Sequence, residues 1–248
     1  MTTATTTPTT MAPSFGDMSP RRASLIAGIG YLIIFLAAIF ANFIVLQGMV
    51  VDGDAAATVA NISDNPGMFR LGLVAFLVVF IADVVVAWAL WILFTGVNRE
   101  LSRLAAWMRV VYTVFLGVGL IFFFSVLQLL SGASWLGAFD QGQIDGQVML
   151  ALQAFDAAWL IGLAAFGVHL ILLGTLIVRS GVAPRVLGIL LGIAGAAYII
   201  DTVAHGVIAS YDDYANLFLA MVGIPSVVGE LWFTLWLLLR GGKPRTAA

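Results

Sequence analysis

The stretch GLAAFGVHLILLGTLIVRSG, residues 162–181, decides the fold class, because it is a long apolar run with one histidine, His169, inside it. About 20 consecutive apolar residues are enough for a helix to cross the hydrocarbon core of a bilayer. A helix is the form that such a segment takes, since lipid offers no hydrogen bonds to the backbone. The stretch therefore predicts a membrane helix with an ionisable side chain inside it. Such residues mark the places where function is sought.

The composition extends this interpretation to the whole chain. Hydrophobic residues make up 62% of the sequence, charged residues 10%, and the mean hydropathy is +1.07. Soluble domains have about 45–50% apolar and about 25% charged residues, so we expect an integral membrane protein in contact with the lipid bilayer. The chain has no cysteine, which excludes disulfides and thiolate metal sites. No basic patch interleaved with aromatic residues is present, so a nucleic-acid partner is not expected.

Six segments are long enough to span about 30 Å of hydrocarbon at 1.5 Å per residue. They are residues 24–48, 69–97, 101–131, 148–178, 185–209 and 214–239. The sequence thus predicts an all-α integral membrane protein, a six-helix transmembrane bundle over residues 21–240. Residues 1–20 are rich in Thr and Pro and are expected to be a disordered tail, and residues 241–248 a short basic tail.

The basic residues predict the orientation. Nine of the eleven Lys and Arg residues lie at the two termini or in the second and fourth loops, whereas the first, third and fifth loops carry acidic residues. Cytoplasmic loops of membrane proteins are enriched in Lys and Arg. Both termini are therefore expected in the cytoplasm.

Two weaker patterns concern the helices themselves. A shift of about 86 positions aligns Asp83 with His169 and Tyr112 with Tyr198, so spans two and three echo spans four and five. A parallel repeat and a chance match are both open interpretations. Gly188, with further small residues at 192 and 196, forms a ridge that predicts close packing of the fifth span on a neighbour.

Four spans each contribute one ionisable residue to the interior of the membrane. Depths counted from the cytoplasmic ends are roughly 12, 14, 15 and 20 Å. In that order, the residues are Arg109, His169, Glu230 and Asp83. Each such residue costs about 2.5–3.5 kcal/mol at the centre of a membrane helix, so we expect the four to converge on one another as an intramembrane polar layer. They are the candidate binding residues.

A second polar group is predicted nearer the outer surface, with Arg70, Asp156, Asp201 and His205. Asp201 and His205 stand four positions apart, on one helix face. They lack an obvious third ligand, so a hydrogen bond between them or an ion pair with Arg70 is favoured over a metal site. No metal or other cofactor is expected.

Short motifs recur across the predicted spans. They are Gly53 to Thr58, Phe69 to Gly72, the helix of Asp83, Asn98-Arg99, Met108 to Val110, Gly167 to Leu170, Arg179 to Gly181, Pro184 to Gly188, and Pro225 with Gly229 to Trp232. As a set they resemble the bacterial integral membrane family catalogued as domain of unknown function 4386, over roughly residues 20–242. The resemblance implies a multi-helix inner-membrane protein and transfers no activity to any residue.

Three functions are compatible with the polar layer. The favoured one is binding or transport of a small solute or ion. In a proton-linked form of this function, Glu230, Asp83 and His169 would take up and release protons. A purely structural ion-pair network, in an accessory or sensor protein, is the first alternative. A membrane-embedded enzyme that uses His169 and Glu230 is the second. No familiar hydrolase, zinc-protease or nucleotide motif is present, which favours a protein that is not an enzyme.

Overall fold

The computed structural model describes residues 18–242, so most of the two predicted tails lies outside the described residues. Within residues 18–242 the regular structure is helical. The main helices are α1 Pro20–Ile39, α2 Ala55–Asp64, α3 Pro66–Phe94, α4 Arg99–Leu129, α5 Gln141–Ser180, α6 Arg185–Val207 and α7 Ala215–Leu239. All except α2 belong to segments long and apolar enough to cross a membrane, which confirms the all-α, six-span fold. The orientation and the repeat stay predictions.

Two helical segments differ most from the predicted boundaries, and in both cases a capping side chain explains the difference. Helix α5 begins at Gln141 instead of residue 148, because Asp140 and Gln143 form a reciprocal capping box at its first turn. Helix α2 lies within a predicted loop. Asp54 caps it by accepting from the Ala57 backbone N–H at 2.9 Å.

The first span contains an irregularity that the apolar pattern does not reveal. After α1, residues Phe40–Leu46 form a π-helical segment, followed by one α-helical turn at Gln47–Met49. A π-helical segment has an extra residue in its turn, which rotates the side chains that follow relative to an α-helix. In this chain the π segment brings Asn42 and Phe43 to the edge of an internal cavity.

The six long helices pack as a closed ring. The main contacts join α1 to α3, then each long helix to the next along the chain, and finally α7 back to α1. Buried apolar residues form two clusters, one at each end of the ring. Along α3, Val79 belongs to one cluster and Val86 to the other, so Asp83 lies at the boundary between them.

Glycines determine the contact between α5 and α6. Gly167 and Gly174 of α5 face Gly195 and Gly188 of α6, and a Cβ atom at Gly188 would lie 2.6 Å from the Gly174 carbonyl oxygen. Small residues let two helix backbones approach this closely. The contact uses a spacing of seven residues, whereas a Cβ at Gly192, in the predicted ridge, would meet nothing within 4 Å.

The ring closes at the end where the first and last described residues lie. The Arg21 guanidinium donates to the carbonyl oxygens of Leu237, Leu238 and Gly241 at 3.1, 2.6 and 3.0 Å. Ser24 donates to the Leu237 carbonyl at 2.8 Å. Because the last carbonyls of a helix have no partner inside it, these bonds cap α7 and fasten it to α1.

Candidate functional site

Arg109 is the centre of the intramembrane polar layer. Its side chain is 1% exposed, and its Nη2 donates to Asp83 Oδ1 at 2.5 Å. Its Nη1 donates to the Tyr31 hydroxyl at 2.6 Å. The guanidinium Cζ also lies 4.5 Å from the centroid of the Tyr31 ring. One side chain of α4 therefore joins α3 and α1 in the middle of the ring.

His169 adds α5 to this group. Its Nδ1 lies 2.8 Å from the Ala105 carbonyl oxygen, and its Nε2 lies 3.4 Å from Arg109 Nη1. A carbonyl only accepts, so Nδ1 carries the ring proton. Nε2 then presents its lone pair to the guanidinium, and the imidazole is neutral in this arrangement. His169 thus supports Arg109 without adding a charge.

The group leaves buried polar atoms without partners. Asp83 Oδ2 and Arg109 Nε are buried and make no hydrogen bond with any described residue. The indole Nε1 of Trp159 is also buried and has no hydrogen-bond partner among the described residues. Buried polar groups nearly always have a partner in folded proteins, so each unpaired atom needs an explanation. These three residues line one cavity, whereas the fourth such atom in the described residues, Trp91 Nε1, belongs to a residue that lines a different pocket.

Glu230 is the fourth residue of the predicted layer, and its carboxylate has no partner. Its side chain makes no salt bridge or hydrogen bond with a residue in the described part of the chain, although the charges of Arg109 and Asp83 act on it. Glu230 lies on α7, about one turn from Pro225. The proline removes a backbone donor, and the Ser226 hydroxyl bonds to the Val222 carbonyl in the same turn.

Asp83, Arg109 and Glu230 line a cavity of about 360 Å³. Its other walls are Tyr31, Ile34, Phe35, Ala38, Ile39, Asn42, Phe43, Tyr112, Trp159, Leu163, Phe166, Tyr198, Ser226 and Val227. The exposed wall residues are Ile39, Phe43 and Val227, which belong to the first and last spans. The cavity therefore opens sideways between those two spans. In a membrane protein, this face meets lipid.

A second, polar cavity of about 860 Å³ lies next to it, with Asn42 in the walls of both. Its charged residues are Asp52, Asp156 and Asp212, and no basic residue lines it. We call it the acidic vestibule. Because the three aspartates come from the first loop, α5 and the turn before α7, the vestibule lies at the end of the ring opposite Arg21.

The predicted outer group does not assemble as one cluster. His205 Nδ1 lies 3.7 Å from Asp201 Oδ1, and the Tyr211 hydroxyl donates to that same oxygen at 2.6 Å. Arg70 is exposed and forms no salt bridge with a described residue, so the predicted ion pair is not formed. Asp156 belongs to the acidic vestibule instead. Across residues 18–242, no three His, Asp or Glu side chains are grouped as metal ligands would be.

Sequence reasoning missed several residues of the site. Tyr31 and Asn42 are among the few polar residues of the first span, which was the available signal. Their depth and rotation were not counted because neither is charged. Tyr198 and Trp159 carry no distinguishing signal, since aromatic residues are common in membrane helices.

Comparison with known proteins places the chain among sequences without an assigned activity. The family model described as "Domain of unknown function (DUF4386)" matches residues 26–241. The chain is 29% identical over 171 residues to an "Uncharacterized protein" from Archaeoglobus fulgidus. The aligned region covers 69% of this chain and 84% of that protein. No solved structure matches the chain.

Proposed function

The chain belongs to the family described as domain of unknown function DUF4386, and we propose that it binds a small amphiphilic molecule in the cavity between its first and last spans. The bound molecule would place its polar group against Asp83, Arg109 and Glu230 and its apolar part toward the lipid. This proposal takes up the binding part of the prediction made from the intramembrane charges.

The proposal rests on the presence of polar groups without hydrogen-bond partners in the wall of a mostly apolar cavity. Asp83 Oδ2 and Arg109 Nε are buried without a partner, the Glu230 carboxylate makes no hydrogen bond or salt bridge within the described residues, and all three side chains line the cavity. Ligand sites are mostly apolar pockets with a few convergent polar groups. The volume of about 360 Å³ is in the range typical of small-molecule sites.

A purely structural network accounts for only part of this arrangement. Asp83, Tyr31 and His169 each bond to Arg109, and these contacts hold four helices in register. A network with that single role is expected to be fully satisfied, because unpaired polar groups are costly in a low dielectric. Glu230 lies outside the bonded group, so the structural role does not explain it.

The enzyme alternative has less support from the geometry. His169, its expected base, is not among the residues that line the cavity, and both of its ring nitrogens face protein groups. Transport would be a further step from the same cavity, and ligand binding is the part that the described contacts support. We propose that both termini are cytoplasmic, on the distribution of basic residues, and that the membrane is the inner one, on the resemblance to a bacterial inner-membrane family.

The proposal is tested by filling the cavity. Ala38 lines the cavity, whereas Leu36, two positions earlier on the same helix, is 64% exposed. Ala38→Trp blocks the cavity, and Leu36→Trp places the same side chain in the lipid. Each protein is extracted into polymer nanodiscs directly from the cell membrane and analysed by native mass spectrometry.

We expect a discrete small-molecule adduct on the wild type and on Leu36→Trp, and its loss from Ala38→Trp. The same adducts on all three proteins would show that molecules bind elsewhere. Bare protein in all three samples would show that the cavity holds no retained ligand. Either result overturns the proposal.

A further inference from the structure

The charges that line the cavity are unequal. Two carboxylates, Asp83 and Glu230, face one guanidinium, Arg109, and Arg109 is already bonded to Asp83. His169 contributes no charge, because its Nδ1 bonds to a carbonyl and its Nε2 accepts from Arg109. The site therefore has one carboxylate without a counter-charge. In an environment of low dielectric, such a group stays ionised only with a cation beside it and otherwise takes up a proton.

The walls near Glu230 are suited to an organic cation. Tyr31, Phe35, Phe166 and Tyr198 line the same cavity, and the π face of an aromatic ring attracts a positive charge. Arg109 already uses two of these faces, with its Cζ 4.5 Å from the Tyr31 centroid and 5.3 Å from that of Phe166. The remaining aromatic walls have no cation of the chain above them in the described residues.

A metal ion fits this site less well. Hard cations such as Ca²⁺ and Mg²⁺ take about six oxygen ligands. The cavity offers two carboxylates, one of them bonded to Arg109, with the side chains of Asn42, Ser226 and three tyrosines in an otherwise apolar wall. No group of three metal-ligating side chains occurs within residues 18–242.

The acidic vestibule next to the cavity also favours a positively charged ligand. The acidic vestibule shares Asn42 with the cavity, and its charged lining consists of Asp52, Asp156 and Asp212. A cleft lined by one sign of charge concentrates ions of the opposite sign. A cation on an apolar body therefore meets favourable surfaces on both routes, the vestibule and the lipid-facing opening.

We propose that the cavity binds a lipophilic organic cation, a quaternary ammonium or protonated amine on an apolar body, with its charge against Glu230 and its body among the aromatic walls. This inference rests on the proposed function and names the class of ligand. Glu230 neutralises the ligand, and the Asp83–Arg109 pair remains intact beneath it.

The experiment compares two probes of the same shape and opposite charge, tetraphenylphosphonium and tetraphenylborate. Binding is measured by equilibrium dialysis against the protein in phosphatidylcholine nanodiscs, with empty nanodiscs subtracted. We expect saturable binding of tetraphenylphosphonium to the wild type and none of tetraphenylborate. Glu230→Gln should weaken phosphonium binding by about tenfold or more, since it removes the counter-charge and keeps the shape.

The chain provides a matched control, because Glu100 is its one other glutamate and lies exposed at the start of α4. Glu100→Gln should leave phosphonium binding unchanged. Equal binding of both probes to the wild type, or phosphonium binding unaffected by Glu230→Gln, overturns the inference. The comparison of probes on the wild type stands even if the Glu230 variant does not fold.

Ala38→Trp separates this inference from the proposed function. If it removes tetraphenylborate binding, or removes both probes equally, the cavity binds amphiphiles without selecting cations, and only the inference fails. If neither probe binds, or neither responds to Ala38→Trp, the inference fails, and the adduct experiment on the wild type and Ala38→Trp decides the proposed function separately.

Discussion

Arg109 Nη2 and Asp83 Oδ1 lie 2.5 Å apart between α4 and α3, and each side chain is 1% exposed. A single hydrogen bond joins the pair, because Asp83 Oδ2 and Arg109 Nε remain unbonded in the described structure. Removal of either member of such a buried pair leaves the other as an unpaired buried charge, and this destabilises the fold strongly. The pair also lines the cavity and limits how far it extends between the helices.

The first prediction concerns this pair. Arg109→Leu should lower the free energy of unfolding by about 3–5 kcal/mol, because it leaves the Asp83 carboxylate buried without its partner. The double variant Arg109→Leu with Asp83→Leu should recover much of the loss. Unfolding by sodium dodecyl sulfate in mixed micelles, followed by circular dichroism, measures both. A double variant as unstable as the sum of the singles would show that the two residues act independently.

The second prediction concerns the α5–α6 contact. Gly188→Ala should destabilise the protein by about 1–3 kcal/mol, because the added methyl group would meet the Gly174 carbonyl at 2.6 Å and the backbones must separate. Gly192→Ala, one turn further along α6, should be close to neutral, since a Cβ there meets nothing within 4 Å. The same unfolding assay compares them. Equal losses in the two variants would contradict the glycine contact.

The third prediction concerns the closure of the ring. Arg21→Ala should destabilise the junction of α1 and α7 by about 1–2 kcal/mol, because three carbonyls at the end of α7 lose a charged donor. Hydrogen exchange should increase over the last turn of α7. Arg22→Ala is the control, since the Arg22 side chain is exposed and makes no hydrogen bond or ion pair across the ring with a described residue. Unchanged exchange in Arg21→Ala would show that the cap contributes little.

The fourth prediction concerns orientation, and the absence of native cysteines makes it direct to test. Ser134→Cys, in the loop before α5, should react with a membrane-impermeant maleimide on intact cells. Val182→Cys, in the loop after α5, should react only after the membrane is permeabilised. Both positions are exposed, and neither substitution changes a charge. The reverse labelling pattern would place both termini outside.

Much of the fold was predictable because it depends on local quantities. The length and hydropathy of each apolar segment set the number of spans. A depth count predicts similar levels for Asp83, Arg109, His169 and Glu230, since a helix rises by a fixed distance per residue. The start of α5 and the presence of α2 were within reach of the capping pattern at Asp140 and Asp54, although the predicted boundaries did not use it.

The sequence by itself determined that the chain crosses the membrane six times and that four charged or ionisable residues meet its interior. Tertiary structure alone decided which of them bond: Arg109 with Asp83, His169 behind Arg109, and Glu230 left without a partner. Hydropathy fixes how deep a residue lies, because the bilayer acts on each helix separately. Pairing depends on how each helix is rotated and which helices are neighbours, and these follow from contacts between residues far apart in the chain.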